Sequence, residues 1–273
     1  VGNLEPTLIT DNYLVVSSFN NDLHWIKPRS NNYCVYERGS QGLDVYGLDS
    51  DKCFKSPNLG YNIYDYLTYI IENYTTLPEC VLFVKGNIFP RHITEQYFDK
   101  IANNKIFTPI VDAGTLNCSW PMSTMIGDTL YCELNTSWYL NHHPVKYFNS
   151  FNEFLQFVYV APLLPRYVGF APGANYIVPR NNILRVPRIV YENLKTFVSY
   201  IALPGEAHIL ERALPIIWNS GYSFSEKILS SMGDMENLPV LSRRNRTWRD
   251  YMDGMEYRAQ KLGTDFLGRL HFW

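Results

Sequence analysis

Four short stretches carry side chains whose types and spacing suit chemistry. The first, Ser17 to Trp25, carries Ser18, Asn20, Asn21 and Asp22, able to hydrogen-bond a base or a ribose. The same residues would equally cap a helix. The second, Val81 to His92, runs an apolar stretch into Lys85, Gly86 and Asn87, then Arg91 and His92. Lys85, Arg91 and His92 could face a diphosphate, and a glycine there lets backbone approach a ligand. As a plain strand exit, the charges would simply be solvated. The third, residues 169–187, holds the small pair Gly173 and Ala174, followed by Arg180, Arg185 and Arg188. A substrate could lie against such a backbone, or the arginines could belong to the surface of a loop–strand–helix unit. The fourth, Leu203 to Trp218, sets Glu206, His208 and Glu211 at the start of a helix. His208 and Glu211 are three apart and share a face. The helix N-terminus favours Glu206 as an anion and burial opposes this, a balance that suits a general base. Helix-dipole pairing is the competing role.

Two further motifs look like metal sites. Asp49-Ser50-Asp51 has the spacing of a divalent-cation motif, and His142-His143 offers two imidazoles. The first sits in a polar loop, and adjacent histidines seldom converge on one ion. Either would need a third ligand brought near by the fold. No metal ligand is assigned, no cofactor is firmly expected, and manganese or magnesium is left open.

The elements around these stretches alternate. Tyr13 to Phe19 reads as a buried strand, Leu23 to Ile26 as a short helix ended by Pro28, and Tyr33 to Tyr36 as a second strand. Gly39 to Pro57 reads as loop. The apolar positions Ile63, Tyr64, Leu67, Ile70, Ile71 and Tyr74 have helical spacing, with Asn62 as the cap. Cys80 to Val84 is apolar throughout, as parallel strands buried on both faces are. Residues 106–143 show no helical period and read as irregular or short-strand structure. Helices are expected over 149–159, over 182–200 with Pro187 near the first turn or kinking it, and over 205–218. A strand is expected over 174–178 and a charged helix in the tail, 245–260. Alternation of this kind predicts an α/β fold with a mostly parallel central sheet flanked by helices.

Composition sets limits. Hydrophobic residues make up 46% of 273, enough for a substantial core, and the net charge of −2 gives no bulk pull toward nucleic acid or anionic membrane. The 21 tyrosines suit sugar and base pockets, although a compositional bias would also raise them. Five scattered cysteines without a CxxC pair argue against a disulfide framework and for a reducing, cytoplasmic setting. No apolar run is long enough to span a bilayer, and the first residues lack a signal-peptide pattern. The four Asn-x-Ser/Thr sequons, at Asn73, Asn117, Asn135 and Asn245, are read as chance occurrences in an asparagine-rich cytoplasmic chain.

The stretch from Pro57 to His92, PNLGYNIYDYLTYIIENYTTLPECVLFVKGNIFPRH, resembles an uncharacterised family, the DUF3431 type. SSFNNDLHWIKP and GFAPGANYIVPRNNIL followed by PGEAHILERAL resemble that family's opening and closing motifs in the same order. The likeness touches residues 13–218. Such proteins look like glycosyltransferases of the GT-A fold, a single Rossmann-like domain that binds a nucleotide sugar. The resemblance implies one domain over 1–273: a nucleotide-binding half at about 13–105, an acceptor and catalytic half at about 106–240, and a tail from 241. Two departures stand out. Many relatives carry Arg-Glu where this chain has Tyr61-Asn62, and Lys85-Gly86-Asn87 stands where many GT-A enzymes place Asp-x-Asp. Lysine and arginine can neutralise a leaving diphosphate in place of a metal.

The resemblance thus implies transfer of a sugar, xylose or another small one, from a nucleotide-diphosphate donor, UDP foremost, to a hydroxyl of a glycan or glycoprotein. Donor-binding residues would be Ser18, Asn20, Asp22, Asn58, Lys85, Gly86, Asn87, Arg91, His92, Gly173 and Ala174. PGEAH resembles the Pro-Asp-Glu motif that carries the base in metal-independent inverting transferases and so nominates Glu206, with Glu211 and His208 in support. The tail arginines Arg243, Arg244 and Arg246 could form a lid. A metal-dependent hydrolase or phosphotransferase, and a non-catalytic carbohydrate-binding module, are the alternatives.

Overall fold

The computed structural model describes residues 6–118, 122–127, 130–135, 140, 143–231 and 233. The expected tail helix and arginine lid, and His142, lie outside them. The first strand, β1 (Tyr13–Ser18), pairs in parallel with β2 (Tyr33–Glu37) and with β4 (Cys80–Lys85). β2 pairs in parallel with the short edge strand β3 (Cys53–Lys55). Beyond β4 lie the antiparallel β9 (Tyr176–Pro179) and then β5 (Thr108–Pro109), giving the order β3-β2-β1-β4-β9-β5. β6 (Ser123–Ile126), β7 (Leu130–Leu134) and β8 (Tyr167–Phe170) form a separate antiparallel sheet.

The period-two alternation of strands divides the core. Val15, Cys34, Tyr36, Val81, Phe83, Tyr176 and Val178 face one side of the large sheet. They pack there with α1 (Tyr61–Glu72), α3 (Phe151–Val158), α5 (Arg188–Val198) and α6 (Gly205–Asn219). Leu14, Val16, Val35, Leu82, Val84 and Ile177 face the other, against Leu23, Ile26, Ile88 and Phe98, the last on α2 (Glu95–Ile101). The expected α/β class and mostly parallel sheet are present. No described helix is long and apolar enough to cross a membrane.

Several local expectations need correction. Leu23 to Ile26 forms only turns, closed by Ile26 N–H donating to Leu23 O, because Pro28 leaves no room for a helix to propagate. Residues 39–57 are not all loop, since they contain two single-turn 3-10 helices and β3. Asn62 is not the cap of α1: Gly60, at φ 58°, takes the left-handed position there, and Asn62 lies inside the helix. The helix expected over 182–200 is two helices, α4 (Arg180–Leu184) and α5, divided where Pro187 caps the second. Strand β8 and helix α2 were not legible in the pattern, the first too short and the second a single pair of turns.

Candidate functional site

A cavity of about 360 Å³ opens where β4 ends, α1 begins, α6 passes and the small sheet folds over. Lys85, Arg91 and His92 line one wall, and Tyr61, Asn62 and Ile63 of the first turn of α1 line another. His208, Glu211 and Arg212 of α6, Glu133 and Tyr131 of β7, Phe170 and Gly173 complete it. Three of the four sequence stretches therefore meet here.

The positive wall is not tied into ion pairs. The Lys85 ammonium and the Arg91 guanidinium make no hydrogen bond or ion pair with another described residue. Burial, with Arg91 and Arg38 nearby, lowers the Lys85 pKa to about 8, with Glu211 opposing. The first turn of α1 adds the positive end of a 12-residue helix dipole, with the Tyr61 N–H already donated to Ala202 O at 3.2 Å. Its first residue, Tyr61, holds φ at 54°, a conformation side-chain-bearing residues seldom adopt. The ring of Tyr61 packs beside His143 and His208 at centroid distances of 6.3 and 5.2 Å.

The opposite wall is built on α6. Residues 208, 211 and 212 share one face of a helix by their three- and four-residue spacing. Glu211 Oε1 accepts from Gly173 N–H at 2.5 Å, and its Oε2 lies 3.3 Å from Arg212 Nη1 and 3.8 Å from His208 Nδ1. Burial would raise its pKa, but His208, Arg212 and Lys85 together hold it at about 2, so it stays ionised. Burial lowers the His208 pKa below its usual value, so the imidazole is neutral at pH 7. Arg212 is fully buried and grips Glu133 through both carboxylate oxygens at 2.9 and 3.0 Å, with its guanidinium 4.5 Å from the Phe170 ring. That pair fastens the small sheet over the cavity. Gly173, at φ 83°, is gripped from both sides, since Asn62 Nδ2 donates to its carbonyl at 2.8 Å.

Glu206 does not line this cavity. Its Oε1 accepts from the backbone N–H groups of Lys146 and Tyr147 at 2.7 and 2.6 Å, and its Oε2 from Tyr200 Oη at 2.6 Å. Burial raises its pKa, and all its contacts fasten the chain at 146–147 and Tyr200 to the start of α6.

The first stretch lies beside the second, as the β1–β4 pairing and the bond from Gly86 N–H to Ser17 O at 2.8 Å require. Yet Ser18, Asn20 and Asp22 are outside the cavity wall. Ser18 Oγ donates to Glu37, Asn20 Oδ1 accepts from the N–H groups of Ser40 and Gln41, and exposed Asp22 accepts from His24. Gly86 is needed for packing: a Cβ would stand 2.8 Å from Asn21 Oδ1. Asn58 is exposed on the surface, and Asn87 and buried Ala174 are also outside the lining. At the same strand ends, buried Asp65 of α1 accepts from Ser17 and Ser56 at 2.5 Å and pairs with Arg38 at 3.2 Å. Burial, against Arg38, pushes the Asp65 pKa up to about 6.

Neither metal-like motif gains the ligands it would need. Asp49 is held by Lys27 and Lys52 at 2.6 and 2.9 Å, and His143 is buried with its ring 4.7 Å from His208. Among the described residues no group of three or more His, Cys, Asp and Glu side chains is arranged to hold a metal ion. The residues missed from sequence are Tyr61, Asn62, Glu133 and Arg212. Arg212 had a readable signal, four residues after His208 on one helical face. Glu133 had none, because its partner is 79 residues away.

The chain belongs to the family described as Protein of unknown function (DUF3431), whose model matches residues 14–230 and so spans every residue of the cavity wall. Comparison with curated proteins and with solved structures finds no match.

Proposed function

We propose that this DUF3431 member is a glycosyltransferase that moves a sugar from a nucleoside-diphosphate donor, UDP foremost, to a hydroxyl of a glycan. The observation that carries the reading is a cationic wall, Lys85 and Arg91, that makes no hydrogen bond or ion pair with a described residue, set across one cavity from a held, ionised carboxylate. When the bond between the anomeric carbon and the donor oxygen breaks, its electrons go to the diphosphate. Lys85, Arg91 and the first turn of α1 would stabilise that charge as it develops, without reorganising. The acceptor hydroxyl attacks the anomeric carbon and must lose its proton. Glu211, with a pKa of about 2, is a weak base. His208 beside it is neutral and free to accept the proton, and Glu211 would stabilise the imidazolium that forms. The base role proposed from sequence for Glu206 thus passes to His208 with Glu211. Since Asp49 is bound by two lysines, nothing here favours the metal-dependent hydrolase over the transferase.

The test is a thermal-shift screen against UDP, GDP, CMP and their sugar conjugates, with and without manganese. A rise in melting temperature for one nucleotide class, lost in Lys85→Met, is the expected outcome. No shift with any nucleotide would remove the reading.

A further inference from the structure

Lys85 lines the cavity, and its amine is placed unlike those of the lysines elsewhere. Lys27 and Lys52 both pair with Asp49, and Lys105 pairs with Asp11. Lys55 donates to Gly39 O, and Lys146 lies over the Tyr147 and Tyr200 rings. Burial lowers the Lys195 pKa, but its amine stands 4.5 Å from the centre of the Tyr64 ring, with Glu72 and Asp65 favouring its charge. The Lys85 amine makes no hydrogen bond, ion pair or ring contact with a described residue. Nor is its Nζ sealed in, as His92 Nε2 is: it keeps accessible surface on the cavity wall.

The groups around it favour the free base. Arg91 and Arg38 oppose its charge, and Glu211 on the far wall supports it. That carboxylate and Glu133 are both held by Arg212. The remaining titratable neighbours, His92 and His208, are kept neutral at pH 7 by burial. Burial with the two arginines brings the amine to about 8, so at pH 7 it holds on the order of 10² times more free base than an ordinary lysine. An unprotonated lysine beside a second cation is a nucleophile toward carbonyl carbon. The strand end also fixes its root. Lys85 N–H donates to Oδ1 of buried Asn175 at 3.0 Å, and Lys85 stands opposite Ser17 in the β1–β4 register.

We propose that Lys85 is a covalent-capture site for aldehydes or ketones that carry an anionic group, a phosphate or a carboxylate. The Nζ lone pair forms a bond to the carbonyl carbon while the C=O π pair moves onto oxygen. That oxygen leaves as water with the two hydrogens of the amine, and a C=N bond remains. No oxidant or reductant is consumed. The anionic group meets Arg91, whose guanidinium has no partner among the described residues. The capture site does not depend on the donor reading, because it uses the free base of Lys85 whereas diphosphate binding uses the ammonium.

Pyridoxal phosphate, and pyridoxal as the same aldehyde without the phosphate, are the probes. Each is added to the whole chain, trapped with borohydride at pH 6 to 10 and located by peptide mass mapping. Lys85 should be labelled at least about tenfold faster than any other lysine at pH 7, with a rate half-maximal near pH 8. Pyridoxal phosphate should react about tenfold faster than pyridoxal, the worth of one charge-assisted contact, and Arg91→Gln should remove most of that difference. Lys85→Arg keeps a cation but has no amine to form the imine, so it should abolish the fast labelling, and Lys85→Met serves where the arginine variant fails to fold. Label spread evenly over the lysines, or a Lys85 rate still rising beyond pH 10, would overturn the proposal. Equal rates for the two aldehydes would overturn the requirement for an anion. Fast labelling of Lys85 in a protein that binds no nucleotide would support the capture site and count against the donor reading only.

Discussion

Replacing Lys85 by methionine should make the protein more stable and functionally worse. The ammonium is largely buried beside Arg91 with no ion-pair partner among the described residues, and its pKa of about 8 lies below the usual 10.5. That gap corresponds to at most about 3 kcal/mol of native-state cost at pH 7. The sign follows from proton counts. Between the folded and unfolded pKa values the unfolded chain binds more protons, so wild-type stability rises as pH rises from about 8 toward 10.5. Methionine keeps the apolar stem and removes the charge. We expect Lys85→Met to melt about 5–10 °C higher than the wild type at pH 7, with the difference fading by pH 10. The same substitution removes one charge-assisted contact to the diphosphate and should weaken nucleotide binding about 10- to 100-fold. Calorimetric melting across pH 7 to 10 and nucleotide titration read the two halves. A variant that is less stable than wild type, by a margin independent of pH, would refute the reasoning, as would unchanged nucleotide affinity.

Nucleotide affinity of the wild type should fall roughly tenfold per pH unit above about 8 as Lys85 loses its proton, and stay flat over that range in Lys85→Met, measured by titration in matched buffers. Glu206→Gln should transfer sugar normally and lose only about 1 kcal/mol, because an amide still accepts from the two backbone N–H groups. Glu206→Ala, which strands those groups and Tyr200, should lose about 3 kcal/mol or more in urea unfolding. His208→Gln and Glu211→Gln should each bind donor and transfer about 10²–10⁴-fold more slowly under saturating donor, whereas wild-type turnover in both would dissociate α6 from proton transfer.

The large sheet was legible because its strands are apolar on alternate or both faces, and β1, β2 and β4 fall within a residue or two of expectation. The boundaries that shifted did so for local reasons: the left-handed Gly60 starts α1 two residues early, and Pro187 restarts a helix. The site was half legible. Lys85, Arg91, His92, Gly173, His208 and Glu211 reach one cavity because strand exits and one helical face bring them there. Glu206 does not reach that cavity, and periodicity already argued against its doing so. At 3.6 residues per turn it lies about 200° around the helix from His208, so both cannot face one site. Ser18, Asn20 and Asp22 have the hydrogen-bonding groups of a ligand site, but loop closure uses them first, Ser18 through Glu37 and Asn20 through the backbone at 40–41. The Arg212–Glu133 pair could not be read, since it joins a helix to a strand far apart in the chain and exists only once the small sheet folds back.

The most direct test of the transferase account is to incubate the protein with a panel of UDP- and GDP-sugars, with and without manganese, and follow nucleoside diphosphate release by chromatography. Water can replace the acceptor, so the account predicts slow cleavage of at least one donor at the bond to its anomeric carbon. That cleavage should be depressed in Lys85→Met and in His208→Gln. Failure of every donor to bind or be cleaved, or cleavage at an undiminished rate in both variants, would contradict it.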